Sequence, residues 1–211
     1  MEEGPEYVDK KKYTTSQIIT YMGNKRKLLP IIEEALDEIV KANKVSSKLT
    51  VGDGFAGSGI VSRLLKMKAT ELYTNDLAGY SKTLNLCYLA EPKKTMQKQI
   101  KKYIDNANKK ADEVKTGGNN KILSEGWISK HWSPKTSTIT ETDRAYYTHD
   151  NGCRIDEMRN YIETIPEKYR PYVLAPLLVE CSMHNNTNGQ FSAFYKDKDG
   201  KKGEWGGKTG T

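Results

Sequence analysis

The chain has 211 residues, 36% hydrophobic and 29% charged, enough for one ordinary domain plus an insertion. Its longest apolar stretch, residues 173–179, is interrupted by Pro176, and its first twelve residues hold acids and lysines but no apolar run. This speaks against a membrane span and a secretion signal. Cys87, Cys153 and Cys181 lie far apart with no Cys-x-x-Cys pair, which argues against a zinc site or a disulfide framework, so a cytoplasmic protein with reduced thiols is expected. The net charge of +7 suits a nucleic-acid partner, whose phosphates Lys and Arg neutralise. It suits a solvated lysine-rich surface equally well.

Residues 1–17 read as a flexible or loosely docked arm. From Lys27 the pattern turns helical, with Leu28, Ile31, Ile32, Ala35, Leu36, Ile39 and Val40 on one face, and Pro30 fits there only in the first turn. Residues 49–55 form a short apolar run ending in glycines, a buried strand. Residues 60–67 read as a helix, 71–75 as a second strand with Asp76 at its end, and 80–89 as a second helix that stops before Pro92. Strand, glycine turn, helix, strand, acid, helix is the opening of a doubly wound α/β sheet. The order then changes. Residues 93–115 are lysine-rich and helical, Gly117 to Asn120 mark a loop, and 126–134 are irregular and aromatic. Residues 155–165 and 169–183 predict two further helices. Residues 190–195 are strand-like, and the Asp199-Gly200 turn after them suggests a hairpin, although no convincing return strand follows.

The segment with the most chemistry is Asp53-Gly54-Phe55-Ala56-Gly57-Ser58-Gly59. Glycines at a strand end let the backbone turn tightly and approach a ligand, and the helix that follows presents free N–H groups. Asp76 follows 23 residues after Asp53 (76 − 53), where an acid can accept both hydroxyl protons of a ribose. Together they describe a nucleoside-binding crevice, with a purely structural glycine turn as the alternative. Ser62 stands where a dinucleotide fingerprint needs its third glycine, and no Gly-Lys-Ser/Thr follows to make a phosphate loop. Ser58 lies outside any Gly-x-Ser-x-Gly elbow. His131, His149 and His184 lack ligand spacing, so no metal site is expected. Trp127, Trp132, Tyr146 and Tyr147 could stack on bases, but local packing accounts for them as well. Upstream, Tyr21 to Leu29 sets an aromatic, a glycine and three cations before a helix.

The succession YMGNKRKLLPII, DGFAGSGIVSRLL and YTND resembles the D12 class of adenine-specific DNA methyltransferases, which includes the Dam enzymes. The resemblance extends through YYTHDNGCRIDEMR and HNNTNGQFSAFYKDKDG, over about residues 17–205. It implies an α/β, partial Rossmann-like S-adenosylmethionine-dependent methyltransferase fold with a helical DNA-recognition insertion. The implied divisions are an arm (1–17), a cofactor-binding α/β part (18–92) and a helical insertion with the start of the target-recognition hairpin (93–211). It implies that Tyr21, Gly23, Lys25, Asp53, Phe55, Gly57, Gly59 and Asp76 bind S-adenosylmethionine. It further implies that Asn188, Gly189, Tyr195, Lys196, Lys198 and Lys201 contact duplex DNA, although a solvated turn would also explain the lysines.

One departure stands out. The adenine amino group is a poor nucleophile, because its lone pair is delocalised into the ring. The family answers with Asp-Pro-Pro-Tyr, whose carboxylate and backbone carbonyl accept the amino protons while the aromatic ring stacks on the flipped base. The seven prolines here, at 5, 30, 92, 134, 166, 171 and 176, are never adjacent, so the motif is missing and no catalytic residue is assigned. The expectation is an N-terminal portion, either truncated or a subunit of a split enzyme whose second polypeptide carries Asp-Pro-Pro-Tyr, and inactive alone. The rival reading is a non-catalytic nucleic-acid-binding or assembly protein on a decayed methyltransferase scaffold. A small-molecule methyltransferase is disfavoured by the Tyr21–Lys27 segment.

Overall fold

Parallel pairing of two short strands organises the first of two compact units, Met1–Glu91 and Pro92–Thr211. The computed structural model describes residues 10–20, 23–45, 49–114, 126–136, 138–189 and 191–206. Tyr21 lies outside them.

In the first unit, α1 (Lys10–Thr15), α2 (Leu29–Ala42), β1 (Thr50–Asp53), α3 (Ile60–Lys66), β2 (Glu71–Thr74) and α4 (Gly79–Tyr88) follow in order. Strands β1 and β2 pair from Thr50↔Glu71 to Asp53↔Thr74, so both carboxyl ends open at the same edge. This mixed helix–strand arrangement around a small parallel sheet is consistent with an α/β methyltransferase-like fold. Leu29, Ile60 and Leu64 form a small core, with Ile32 and Val61 packed against it. Pro30 sits in the first turn of α2, as its missing N–H requires. None of the residues on the expected apolar face is buried: Ile32, Leu36 and Val40 are half-buried and Leu28, Ile31, Ala35 and Ile39 exposed, whereas the buried residue of α2 is Leu29.

Within the segment read as an arm, α1 is held by a buried arginine. Arg63, on α3, donates from Nη1 to the Tyr13 carbonyl and from Nη2 to the Ser16 carbonyl, and its guanidinium lies 5.7 Å from the Tyr13 ring centroid. Tyr13 donates in turn to the Tyr88 carbonyl at 2.8 Å. Charge-assisted bonds to carbonyls offset the desolvation of the cation, which a buried arginine needs in order to persist.

The second unit contains α5 (Lys94–Glu113), α6 (Trp127–His131), α7 (His149–Thr164) and α8 (Arg170–Met183). Its core is Ala107 of α5, Ile162 and Ile165 at the end of α7, and Val173 and Leu177 of α8. Residues 126–134 are not irregular as expected, because 127–131 form α6. Asp156 of α7, 5% exposed, organises the start of that helix: it accepts from Ile128 N, Ser129 N and Ser129 Oγ at 2.7–2.9 Å. Gly152 lets α6 come close, since a Cβ there would stand 2.3 Å from Ser133 Oγ and 2.9 Å from Ser129 Cα. The helix expected over 155–165 begins earlier, at His149, where Thr148 Oγ1 accepts from Asn151 N.

The strand expected over 190–195 is reduced to isolated antiparallel bridges, Thr187↔Phe194 and Lys196↔Gly203. Among the described residues no return strand follows, as expected, yet the chain folds back on itself. Glu204 N donates to the Tyr195 carbonyl, and Asp197 N donates to the Lys202 carbonyl. Among the described residues, no helix is long and apolar enough to cross a membrane, and no group of three His, Cys, Asp or Glu side chains could hold a metal.

Candidate functional site

At the carboxyl edge of the sheet, the turn after β1 and the acid after β2 are tied into one network. The Asp53 carbonyl accepts from Asn75 N at 2.8 Å, the Asn75 carbonyl accepts from Ala56 N at 3.0 Å, and Asn75 Nδ2 donates to the Gly54 carbonyl. Asp53 Oδ1 accepts from Phe55 N at 3.3 Å, while Oδ2 accepts from the buried Ser62 hydroxyl at 2.6 Å. Asp76 Oδ2 accepts from Gly57 N at 2.8 Å and Oδ1 from Ala78 N at 2.9 Å. The N–H groups of Ala78 and Gly57 hold the Asp76 carboxyl below its ordinary range, so it is anionic at neutral pH.

Glycine is demanded twice. Gly57 has φ of 52° and Gly59 φ of 75°, both in the left-handed region that side chains avoid. A Cβ on Gly59 would also lie 2.6 Å from Asn85 Oδ1. Gly59 caps α3, whose first turn points its N–H groups towards the turn. Apolar surface flanks the acid and the loop: Phe55 is 89% exposed and Leu77, beside Asp76, is fully exposed.

Of the cofactor residues expected from sequence, the structure joins Asp53, Phe55, Gly57 and Asp76 in this network and places Gly59 at its end. Gly23, with φ of 77°, and Lys25 precede α2, with no hydrogen bond to the network among the described residues. Ser62, Asn75 and Asn85 were not singled out from sequence. Ser62 had a signal: it stands one helical turn after Gly59, at the position where a third glycine would leave nothing to hold Asp53.

In the second unit, the expected DNA residues belong to the bridged segment and its tip. Lys201 N and Lys202 N both donate to Asp197 Oδ1, which closes the tip turn. Lys198 and Lys201 are exposed there. Lys196 lies 5.8 Å over the Phe194 ring centroid. Asn188 and Gly189 directly follow Thr187, which bridges to Phe194, and Gly189 has φ of 97°. Behind them, Asn186 is 1% exposed and latches three strands of chain. Its Nδ2 donates to the Ala145 and Glu204 carbonyls, and its Oδ1 accepts from Gly206 N, at 2.8–2.9 Å.

The family model for D12 class N6 adenine-specific DNA methyltransferase matches residues 21–204. The chain is 28% identical to the modification methylase LlaI of Lactococcus lactis subsp. lactis over 183 residues, 83% of this chain and 27% of that protein. It is 28% identical to the type II methyltransferase M.NlaIII of Neisseria lactamica over 185 residues, 85% of this chain and 50% of that protein. It is also 28% identical to the type II methyltransferase M.CviAII of Paramecium bursaria Chlorella virus 1 over 182 residues, 84% of this chain and 49% of that protein. The chain therefore spans half or less of the length of these relatives. No solved structure matches it. On the strength of the family match, which takes in both units, the chain belongs to the D12 class N6 adenine-specific DNA methyltransferases.

Proposed function

We propose that these residues are the cofactor-binding and DNA-recognising portion of an S-adenosylmethionine-dependent enzyme that methylates adenine N6 in duplex DNA. The observation that carries this reading is the Asp53–Gly57–Asp76 network at the carboxyl edge of two parallel strands. Ligands of open α/β sheets bind at that edge. The chemistry of the donor set fits the cofactor. A carboxylate offers about four lone-pair positions, and Asp76 uses two of them on Gly57 and Ala78. The remaining positions can accept the two ribose hydroxyls. Phe55 and Leu77 supply apolar surface for the rest of the nucleoside, and Asp53 keeps the turn open through Ser62 and Phe55 N. When bound, the cofactor supplies an electrophilic methyl group.

Nothing in the 211 residues supplies the other half of the reaction, because no Asp-Pro-Pro-Tyr segment is present to accept the amino protons of adenine. The proposal therefore includes that this chain transfers no methyl group by itself. A Rossmann-like sheet completed in cis or in trans by a segment bearing that motif would do so. By itself the chain is expected to bind the cofactor weakly, because among the described residues only two paired strands border the crevice. Equilibrium titration with S-adenosylmethionine tests this. Weak binding that Asp76→Ala reduces further is expected. Tight, sub-micromolar binding that ignores Asp76→Ala would sink the assignment.

A further inference from the structure

Within the second unit, α6 and the segment leading to α7 border a cleft of about 480 Å³ lined by Trp127, Lys130, His131, Ser133, Lys135, Thr142, Asp143 and Arg144. Three permanent cations thus face a single carboxylate. That carboxylate is already engaged: Thr140 donates to Asp143 from its N–H at 2.8 Å and its hydroxyl at 2.7 Å. Burial would raise Asp143, but these bonds, together with the Lys135 N–H and charge, outweigh it and keep the carboxyl below its usual range. Among the described residues, no ion pair joins Lys130 or Arg144 to a carboxylate. Lys130, Lys135 and Arg144 are all exposed.

The aromatic residues at the cleft are arranged differently from a core. Trp127 is 61% exposed, although it is the first residue of a helix whose start is fixed from below by Asp156. Its ring leans on His131 at 5.5 Å and Trp132 at 5.8 Å between centroids, leaving one face outward. Arg144 places its guanidinium 5.9 Å over Trp132. Trp132 then packs on Tyr146 at 4.6 Å, and Tyr146 stacks on Phe191 at 5.7 Å and 11° and meets Phe194 edge-on. Lys196, at the hairpin, sits on Phe194. A run of tilted and edge-on aromatic contacts, Trp132 to Tyr146 to Phe194, therefore links Arg144 on Trp132 to Lys196 on Phe194.

We infer that this cleft seats the sugar–phosphate backbone of duplex DNA, with Lys130, Lys135 and Arg144 on a phosphate and Trp127 against the adjoining sugar or base edge. Such cations position a protein on DNA without reading sequence, and an exposed aromatic adds a stacking contact that tolerates any base. The buried cap of Asp156 fixes α6, so the groups are pre-arranged rather than gathered on binding. The inference rests on the DNA methyltransferase reading above, and its test separates the two.

The experiment is fluorescence anisotropy of a labelled duplex with the 211-residue chain, over salt from about 50 to 200 mM. Three variants are compared: a cleft variant (Lys130→Ala, Lys135→Ala, Arg144→Ala), Trp127→Ala, and a control that removes the same charge from exposed positions of α5 (Lys98→Ala, Lys102→Ala, Lys109→Ala). Far-ultraviolet circular dichroism checks that each is folded. The cleft variant is expected to bind roughly tenfold or more weakly, with a salt slope shallower by about one, as the loss of one phosphate contact requires. Trp127→Ala should bind several-fold more weakly with an unchanged slope, and the α5 control should remain close to wild type. Equal losses in the cleft and α5 variants, or none in the cleft variant while wild type binds, overturn the inference alone. A wild-type chain that binds no duplex DNA overturns both the inference and the reading beneath it.

Discussion

Gly57 donates its backbone N–H to Asp76 at 2.8 Å, across the edge of the two strands that present them. The acid that is proposed to hold the ribose therefore also shapes the glycine turn. Asp76→Ala should lower S-adenosylmethionine affinity and loosen the turn together. Asp76→Asn should retain more of the turn and still lose roughly tenfold in affinity, because charge-assisted acceptance is what it removes. Titration of both variants, with amide exchange at Gly57 and Ala78, separates the two roles. Unchanged affinity in both would remove Asp76 from the site.

The same carboxyl makes a pH prediction. Its folded value lies below the ordinary 3.8 because Ala78 and Gly57 favour the anion. A depressed value means the contribution is fully present above 3.8 and disappears as pH falls through the folded value. Urea unfolding should show a constant stability gap between wild type and Asp76→Asn from about pH 7 to 5. That gap should narrow below about pH 4. A gap that widens on acidification would contradict the sign.

Gly59→Ala places a Cβ at φ 75° and 2.6 Å from Asn85 Oδ1. A non-glycine residue in a sparsely populated backbone region costs about 1–3 kcal/mol. Gly52→Ala is the control: it meets nothing within 4 Å and lies on β1. Denaturation should find the first clearly destabilised and the second near neutral. Equal effects would mean that the turn relaxes freely.

Asp156→Ala strips three donors of their acceptor inside the second unit. Hydrogen bonds to a buried charged group each contribute about 1.5–3 kcal/mol. Because the partners can find only partial substitutes, a total loss of about 3 kcal/mol is expected, with Asp156→Asn milder. Chemical denaturation checks the ranking, and the quenching of tryptophan fluorescence by acrylamide should report freer access around α6 in the alanine variant.

Burial pushes the Cys87 thiol up to about 11 and Cys181 up to about 12, and Cys153 is 1% exposed. Only the thiolate attacks alkylating reagents. At pH 8 the native chain should react roughly a hundredfold more slowly than the urea-unfolded chain. Rapid labelling of any one cysteine in the folded chain would show that its surroundings are open.

Methyl transfer provides the last test. Tritiated methyl incorporation into duplex DNA should be absent with this chain, cofactor and DNA alone. It should appear when a polypeptide bearing Asp-Pro-Pro-Tyr and further strands is supplied. Turnover by the chain alone would mean that groups other than that motif accept the amino protons.

What could be read from sequence was whatever a local rule imposes. The glycines at 57 and 59 sit at left-handed angles that few other residues tolerate, and an acid at a strand end needs no distant partner to be recognised. Helix α6 was missed because its decisive capping group lies 28 residues away on another helix. Arg63 carries no local sign of its role: it is 3% exposed and donates to carbonyls 47 and 50 positions earlier. The fold-back of residues 203–206 left no strand signal for a related reason: it is held by the side chain of Asn186.

That asparagine divides the segment proposed to contact DNA into a fixed frame and a free tip. The Asn186 amide joins residues 145, 204 and 206, whereas the turn from Asp197 to Lys202 closes on itself through Asp197. The tip can then be lengthened, shortened or rewritten without disturbing what lies behind the latch. For the DNA contact proposed above, such a frame lets a few exposed residues at the tip be exchanged while the latched residues behind them stay unchanged.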